Sequence, residues 1–299
     1  MYRGDFLYYI ADYTMISKVD IKKEIMSYGV KMTGVSYEWE ETKGKGIKVG
    51  IIDTGVDLNH PDLAVKEYIN FTTENSKDVK DEAGHGTHVA GIVGARLNGI
   101  GIVGVAPESE IYVAKAFDGQ GKGDKSAIRK SLEWMIEKQV DIVNMSYSSS
   151  EEDEEEKRLI KKCIENNIFL VAAAGNRGER KVSFPGRYDG VVAVSSVDIN
   201  KAKSDFSSYG NEIDLAAAGV DILSTYKNAS YAVLSGTSMA APLISGSAAI
   251  VQAKAIKRFK RKLSPKELRV VMGIYADNTE ARRRSKCCGC GIFSFGRIK

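Results

Sequence analysis

Short, nearly continuous apolar runs mark this chain at Ile47–Ile52, Ile111–Phe117, Val140–Met145, Ile168–Ala174, Val191–Val197 and Ile213–Ala217. Runs of this length without polar alternation predict strands buried on both faces. Segments of helix length separate several of them, as at Ser126–Lys138 and Glu155–Glu165. Alternating strands and helices indicate βαβ units, so the expected class is α/β: a doubly wound, mostly parallel sheet with helices on both faces. From Ala240 to Ala253 the residues are small and uncharged, which predicts a helix buried all round, with Pro242 in its first turn. Residues 1–42 follow no single period, although Ile21–Tyr28 reads as one short helix, and Lys43-Gly44-Lys45-Gly46 reads as a hinge. The expected organisation is therefore an N-terminal extension over 1–42 and a main domain over 43–299.

Composition narrows the partners. With 43% hydrophobic and 27% charged residues over 299 positions, the chain fits a soluble globular protein with a sizeable core. A net charge of +4 is too small at this length to indicate nucleic acid or a membrane surface. No secretory signal is legible from Met1 to Phe6, and no stretch approaches a membrane-spanning helix, so a cytoplasmic location is expected. Cys163, Cys287, Cys288 and Cys290 do not make a disulfide framework, and the last three lack the fourth ligand of a structural zinc site. They read as reduced thiols. The basic tail, densest at Arg282-Arg283-Arg284, reads as solvated surface. The acidic run Glu151–Glu156 has two readings. Ser150-Glu151-Glu152-Asp153 has the form of a capping box, and carboxylates beside a cleft would also favour basic peptides. The sequence leaves the oligomeric state open, a dimer included.

Three positions carry candidate chemistry. Asp53 follows the first buried strand directly, where parallel sheets gather functional residues. His85 lies in Gly84-His85-Gly86-Thr87-His88, whose glycines would let a substrate backbone come close. Ser238, in Gly236-Thr237-Ser238-Met239-Ala240-Ala241-Pro242, stands at a helix amino end, where free N–H groups favour negative charge. Each has a bland alternative: a turn aspartate, a zinc-type histidine pair and an N-cap serine. Zinc is disfavoured, because only one further histidine exists and no HExxH glutamate lies between His85 and His88.

Taken together, Asp53-Thr54-Gly55, Gly84–Gly91, Ala173-Ala174-Gly175-Asn176 and Gly236–Pro242, in that order, resemble the subtilisin family of serine proteases, from about Gly44 onward. The likeness is nearest to its intracellular members. It implies the subtilisin three-layer fold and a broad-specificity serine endopeptidase acting on polypeptides. Asp53, His85 and Ser238 would form the triad, with Asn176 as the oxyanion residue. It further implies substrate binding through Gly119, Gly121, Ser146, Tyr147, Ser148, Gly175 and Ser183, by addition of an extended strand. A structural Ca²⁺ is implied at Asp62, Asn98 and the carbonyls of Arg96, Ile100 and Ile102. The extension would inhibit the enzyme, with Phe6-Leu7-Tyr8-Tyr9-Ile10 in the cleft, although the family's Leu-Ile-Pro-Tyr element is absent. Other departures are Tyr147-Ser148-Ser149 where Leu-Gly-Gly is usual, Ser183 for a pocket glycine, Ala218 for proline and Leu243 for histidine. The altered pocket wall motivates one alternative, a pseudoprotease serving as a peptide-binding or regulatory module; a second is a related acyl-transfer enzyme with an amine replacing water as acceptor.

Overall fold

The computed structural model describes residues 8–10, 13–19, 21, 23–277 and 284–297. Phe6, Leu7, Arg282 and Arg283 lie outside them. The chain opens with β1 (Tyr8–Ile10), β2 (Thr14–Val19), β3 (Ile25–Met26) and α1 (Tyr28–Met32). The first half of the domain follows with β4 (Lys48–Asp53), β5 (Val65–Asn70), α2 (His85–Gly94), β6 (Ile102–Val103), β7 (Glu110–Lys115), β8 (Lys122–Gly123) and α3 (Lys125–Glu137). Next come β9 (Ile142–Met145), β10 (Tyr147–Ser148), α4 (Glu154–Glu165), β11 (Phe169–Ala173), β12 (Val191–Val197) and β13 (Ile213–Ala218). The chain closes with β14 (Ile222–Tyr226), β15 (Ser230–Ser235), α5 (Thr237–Phe259), α6 (Pro265–Ile274), β16 (Ala276–Asp277) and β17 (Ile292–Phe293).

Nine strands form the central sheet in the order β16-β17-β13-β12-β11-β9-β4-β7-β5, parallel throughout except for the β16–β17 pair. Side chains alternate between two cores, as the pleat requires. Phe169, Val171 and Ala173 of β11 face the core built with α2 and α5, while Leu170 and Ala172 face the one built with α3 and α4. This is the doubly wound class expected from the apolar runs.

Three local expectations change. Ile21–Tyr28 is not one helix: Ile25 and Met26 pair as β3 with β6, and α1 starts after its cap Ser27. The small-residue helix begins earlier than Ala240, so Pro242 falls in the second turn of α5 rather than the first. With 23 residues α5 is long and apolar enough to cross a membrane, contrary to expectation, but 89% of its most apolar window is buried inside the protein. Cys163, Cys287 and Cys290 are free thiols.

Candidate active site

The direction of strand addition reverses at β4: β7 and β5 lie to one side, β9 to β13 to the other. Such a switch point leaves a crevice beyond the strand ends. Asp53 ends β4, Ser146 follows β9, and Gly175 and Asn176 follow β11, so three candidate segments meet there. Helices α2 and α5 pack on each other and bring His85 and Ser238, both near amino ends, to the same crevice.

Asp53 and His85 are fully buried, with His85 Nδ1 2.7 Å from Asp53 Oδ1. Thr54 N–H donates to that same oxygen at 2.7 Å and holds the carboxylate in place. A carboxylate can only accept here, so Nδ1 carries the proton and Nε2 is the basic nitrogen. Among the described residues Nε2 has no hydrogen-bond partner, and Ser238 Oγ donates instead to Ser146 O at 3.1 Å. Tyr13 lies against His85, ring centroids 5.0 Å apart. The serine–histidine bond is therefore not made in this state.

Asp81 anchors the amino end of α2, and sequence reasoning missed it. Its Oδ1 accepts from Gly84 N–H at 2.7 Å and Thr54 Oγ at 2.8 Å; its Oδ2 accepts from Thr87 N–H at 2.8 Å. An aspartate shortly before a helix was the available signal. The glycines flanking His85 do not admit substrate, as first read. A Cβ on Gly86 would lie 2.2 Å from Gly55 O, and one on Gly84 2.4 Å from the Tyr226 ring. They let α2 press against the chain's own backbone and side chains. The Nε2 of His88 is engaged with the backbone, 3.0 and 3.1 Å from the carbonyls of Ile222 and Ala232. Among the described residues no cluster of His, Cys, Asp and Glu is arranged as a metal site.

Ser238 is the second residue of α5, not its cap, which is Gly236. Pro242 has no N–H for the carbonyl of Ser238, one turn back. Ser146 Oγ fills the vacancy, donating to Ser238 O at 3.1 Å while accepting from Asn144 Nδ2 at 2.8 Å. Asn144, also missed, accepts from Ser245 Oγ at 2.9 Å and ties β9 to α5. A polar residue inside the Val140–Met145 run was its signal.

Asn176 Oδ1 accepts from Thr237 N–H at 2.9 Å and Thr237 Oγ at 2.7 Å, which fixes the orientation of its amide at the amino end of α5. Asn176 and Ser183 line a cleft of about 330 Å³ with Gly121, Ser148 and Ser149. Gly175 stands beside Ser183: a Cβ there would come within 2.5 Å of the hydroxyl. Gly119 sits in the turn before β8, against Glu82.

The gap between β8 and β10 holds the chain's own β1, antiparallel to both. Tyr9 pairs with Ser148 and Lys122, Ile10 pairs with Tyr147, and Ile10 N–H donates to Gly121 O at 3.0 Å. Beyond Tyr13 the arm continues as β2, with Thr14 opposite Ser235, just before the α5 cap. Ser148 and Ser149, in place of the family's two glycines, line the cleft, whereas Tyr147 does not. Its buried side chain runs to Glu156, 3.1 Å from hydroxyl to carboxylate. The acidic run is likewise not a uniform charged surface. Asp153, rather than Ser150, caps α4 and pairs with Arg129 and Lys125; Glu156 is buried, and Glu152 and Glu155 pair with Lys157 and Arg158.

Asp62 is buried: Ile102 N–H donates to it at 2.8 Å, Tyr231 O–H at 2.9 Å and Asn98 Nδ2 at 3.2 Å. The loop from Arg96 to Ile102 thus wraps this carboxylate. Glu24, not foreseen, accepts the N–H groups of Asn98 and Gly99 at 2.8 and 2.9 Å.

Comparison with known proteins agrees with this geometry. The model of the Subtilase family matches residues 44–291, and the chain belongs to that family. It is 38% identical over 270 residues to the intracellular serine protease of Paenibacillus polymyxa, covering 87% of this chain and 82% of that one. Against the major intracellular serine protease of Bacillus subtilis identity is 39% over 254 residues, covering 80% and 79%. Subtilisin DY of Bacillus licheniformis is 41% identical over 216 residues, covering 71% and 78%. The protein is a subtilisin-type serine endopeptidase.

Proposed function

We propose that Asp53, His85 and Ser238 hydrolyse peptide bonds of polypeptides through an acyl-enzyme, with broad specificity, in protein turnover inside the cell. The observation that carries this is the buried 2.7 Å Asp53–His85 contact beside the amino end of α5. Rotation of Ser238 Oγ from Ser146 O to His85 Nε2 readies the nucleophile. As Oγ attacks the substrate carbonyl, Nε2 takes its proton, and Asp53 stabilises the imidazolium. Ser238 N–H and the Asn176 amide hold the oxyanion. His85 then protonates the leaving amine, and water releases the acyl group by the same steps reversed. The relatives named as proteases favour hydrolysis over the pseudoprotease reading, whose motive, Ser148 and Ser149 in place of two glycines, still lines the cleft. A fluorophosphonate probe should label Ser238; a folded protein that stays unlabelled would overturn the proposal. The two relatives named as intracellular support a cytoplasmic location.

The arm supports a second part of this reading: the N-terminal extension, residues 1–42, restrains the peptidase domain, 43–299. It fills the gap expected for a substrate strand, and Tyr13 covers His85. Deleting residues 1–20 is expected to raise the initial rate on a short peptide about 10-fold or more, since the competent fraction no longer competes with a tethered strand. Equal initial rates would count against it.

The Asp62 loop fits a structural Ca²⁺. Its candidate donors are oxygens: the Asp62 carboxylate, the Asn98 amide and the carbonyls of Arg96, Ile100 and Ile102. In this state Asn98 turns its Nδ2 to Asp62 and its Oδ1 to Ile100 N–H, so binding requires the amide to turn over. Bound there, the ion would pin the loop and add no step to the chemistry. Removing it with EDTA should lower the melting temperature by about 5–10 °C, the scale of losing a ligand held near 100 Kd. An unchanged melting temperature would exclude the site.

A further inference from the structure

Glu156 has the carboxylate of an exposed acidic run and the position of a core residue: it is fully buried in the first turn of α4. Three phenols converge on it. Tyr8 O–H reaches Oε2 at 3.0 Å, Tyr147 O–H reaches Oε1 at 3.1 Å, and Tyr188 O–H reaches Oε2 at 3.1 Å. The three are not equivalent donors. Tyr188 has one hydroxyl proton and a second acceptor, Asp153 O, also at 3.1 Å. Tyr147 and Tyr8 have no such alternative among the described contacts. Tyr147 and Tyr188 belong to the domain, whereas Tyr8 belongs to the arm that fills the gap between β8 and β10. Its ring packs edge-on against Tyr147, centroids 5.8 Å apart, and its side chain is almost wholly buried.

We infer that Glu156 is a specificity-determining residue that reads a phenol: the subsite Tyr8 occupies selects tyrosine in a polypeptide substrate. This rests on the reading that β1 lies where substrate binds. The register fixes the position. Tyr9 pairs with Ser148 and Ile10 with Tyr147, so a substrate strand in the same register sets the residue three beyond the tyrosine opposite Ser146. Ser146 O holds the Ser238 hydroxyl, so that residue carries the scissile carbonyl. The tyrosine is then the fourth residue on the acyl side. Phenylalanine there would fill the same apolar walls and leave Oε2 with only the shared Tyr188 proton. Sites built to bind a hydroxyl reject the analogue that lacks it, because a buried acceptor goes unpaired.

The test uses the full-length protein. Both peptides of a competing pair meet the same free enzyme, so the ratio of their kcat/KM values does not depend on how often the arm is seated. For two peptides differing only as Tyr or Phe at the fourth acyl-side residue, the Tyr peptide should be favoured by about 10–100-fold. In Glu156→Leu the ratio should fall to one or invert. A wild-type ratio near one, with both peptides cleaved, overturns the inference and leaves the protease reading standing. Full-length Ser238→Ala separates the converse case, since competitive binding of the same pair needs no turnover. A Tyr preference there upholds the subsite even if the wild-type chain cleaves nothing, and equal binding overturns it.

Discussion

Ser238→Ala is expected to reduce hydrolysis of casein or a short peptide by about 10⁴-fold or more, a scale set by measurements on subtilisins rather than by this geometry. Loss of the nucleophile removes the covalent route entirely, and Asp53 with His85 has nothing left to activate. The protein should nevertheless fold. Among the described residues Ser238 Oγ makes a single hydrogen bond, to Ser146 O at 3.1 Å, and Gly236 rather than Ser238 caps α5. The Ser146 hydroxyl that serves the Ser238 carbonyl survives the substitution, because it contacts backbone. Full-length chain recovered with wild-type circular dichroism but retaining undiminished turnover would remove Ser238 from the mechanism.

The same inactive variant, which cannot digest itself, allows the second expectation to be measured. The contribution of one side chain, His88, to folding stability should fall by roughly 4 kcal/mol as pH drops from 6.5 to 3. Burial pushes His88 down from 6.5 to about 3, with the neighbouring His85 adding to the fall. Its Nε2 proton is already placed on the carbonyls of Ile222 and Ala232, and Nδ1 is buried with no acceptor to receive a second. Above pH 6.5 neither state protonates His88 and its contribution to stability is whole. Below 6.5 the unfolded chain takes up a proton that the folded chain refuses until about 3, so the contribution drains across that window. Urea denaturation at pH 7, 5.5 and 4 reads the slope, which His88→Gln should flatten. An identical slope in the two proteins would assign the acid sensitivity elsewhere.

His85 and His88 sit in one short motif, and the sequence alone did not tell their roles apart. His85 and His88 are three apart on α2, yet one faces Asp53 and the other the backbone of β14 and β15. A metal-ligand spacing was legible; the acceptors that decide between metal, catalysis and packing come from strands far along the chain.

What the sequence determined by itself was local or nearly so. The buried strands follow from unbroken apolar runs, because a strand covered on both faces needs no polar side. The positions of Asp53, His85, Asn176 and Ser238 follow from punctuation at strand and helix ends, where a parallel sheet gathers its functional groups. The phase of α4 was also within reach. Glu156, Leu159, Ile160 and Cys163 recur at helical spacing, and all four are buried. Composition hid this, since a glutamate within an acidic run reads as solvated.

Only the tertiary structure decided how distant segments share an acceptor or a gap. Tyr8 and Glu156 are 148 residues apart, Ser146 and Ser238 are 92 apart, and neither pair leaves a periodic trace. The flanking glycines of His85 show the same limit. A glycine records that something comes close, but whether it is substrate or the protein's own backbone depends on packing that no local pattern encodes. Proline behaves likewise at position 242: the missing N–H is legible in the sequence, while the hydroxyl that replaces it belongs to Ser146, between β9 and β10 and 92 residues from Ser238.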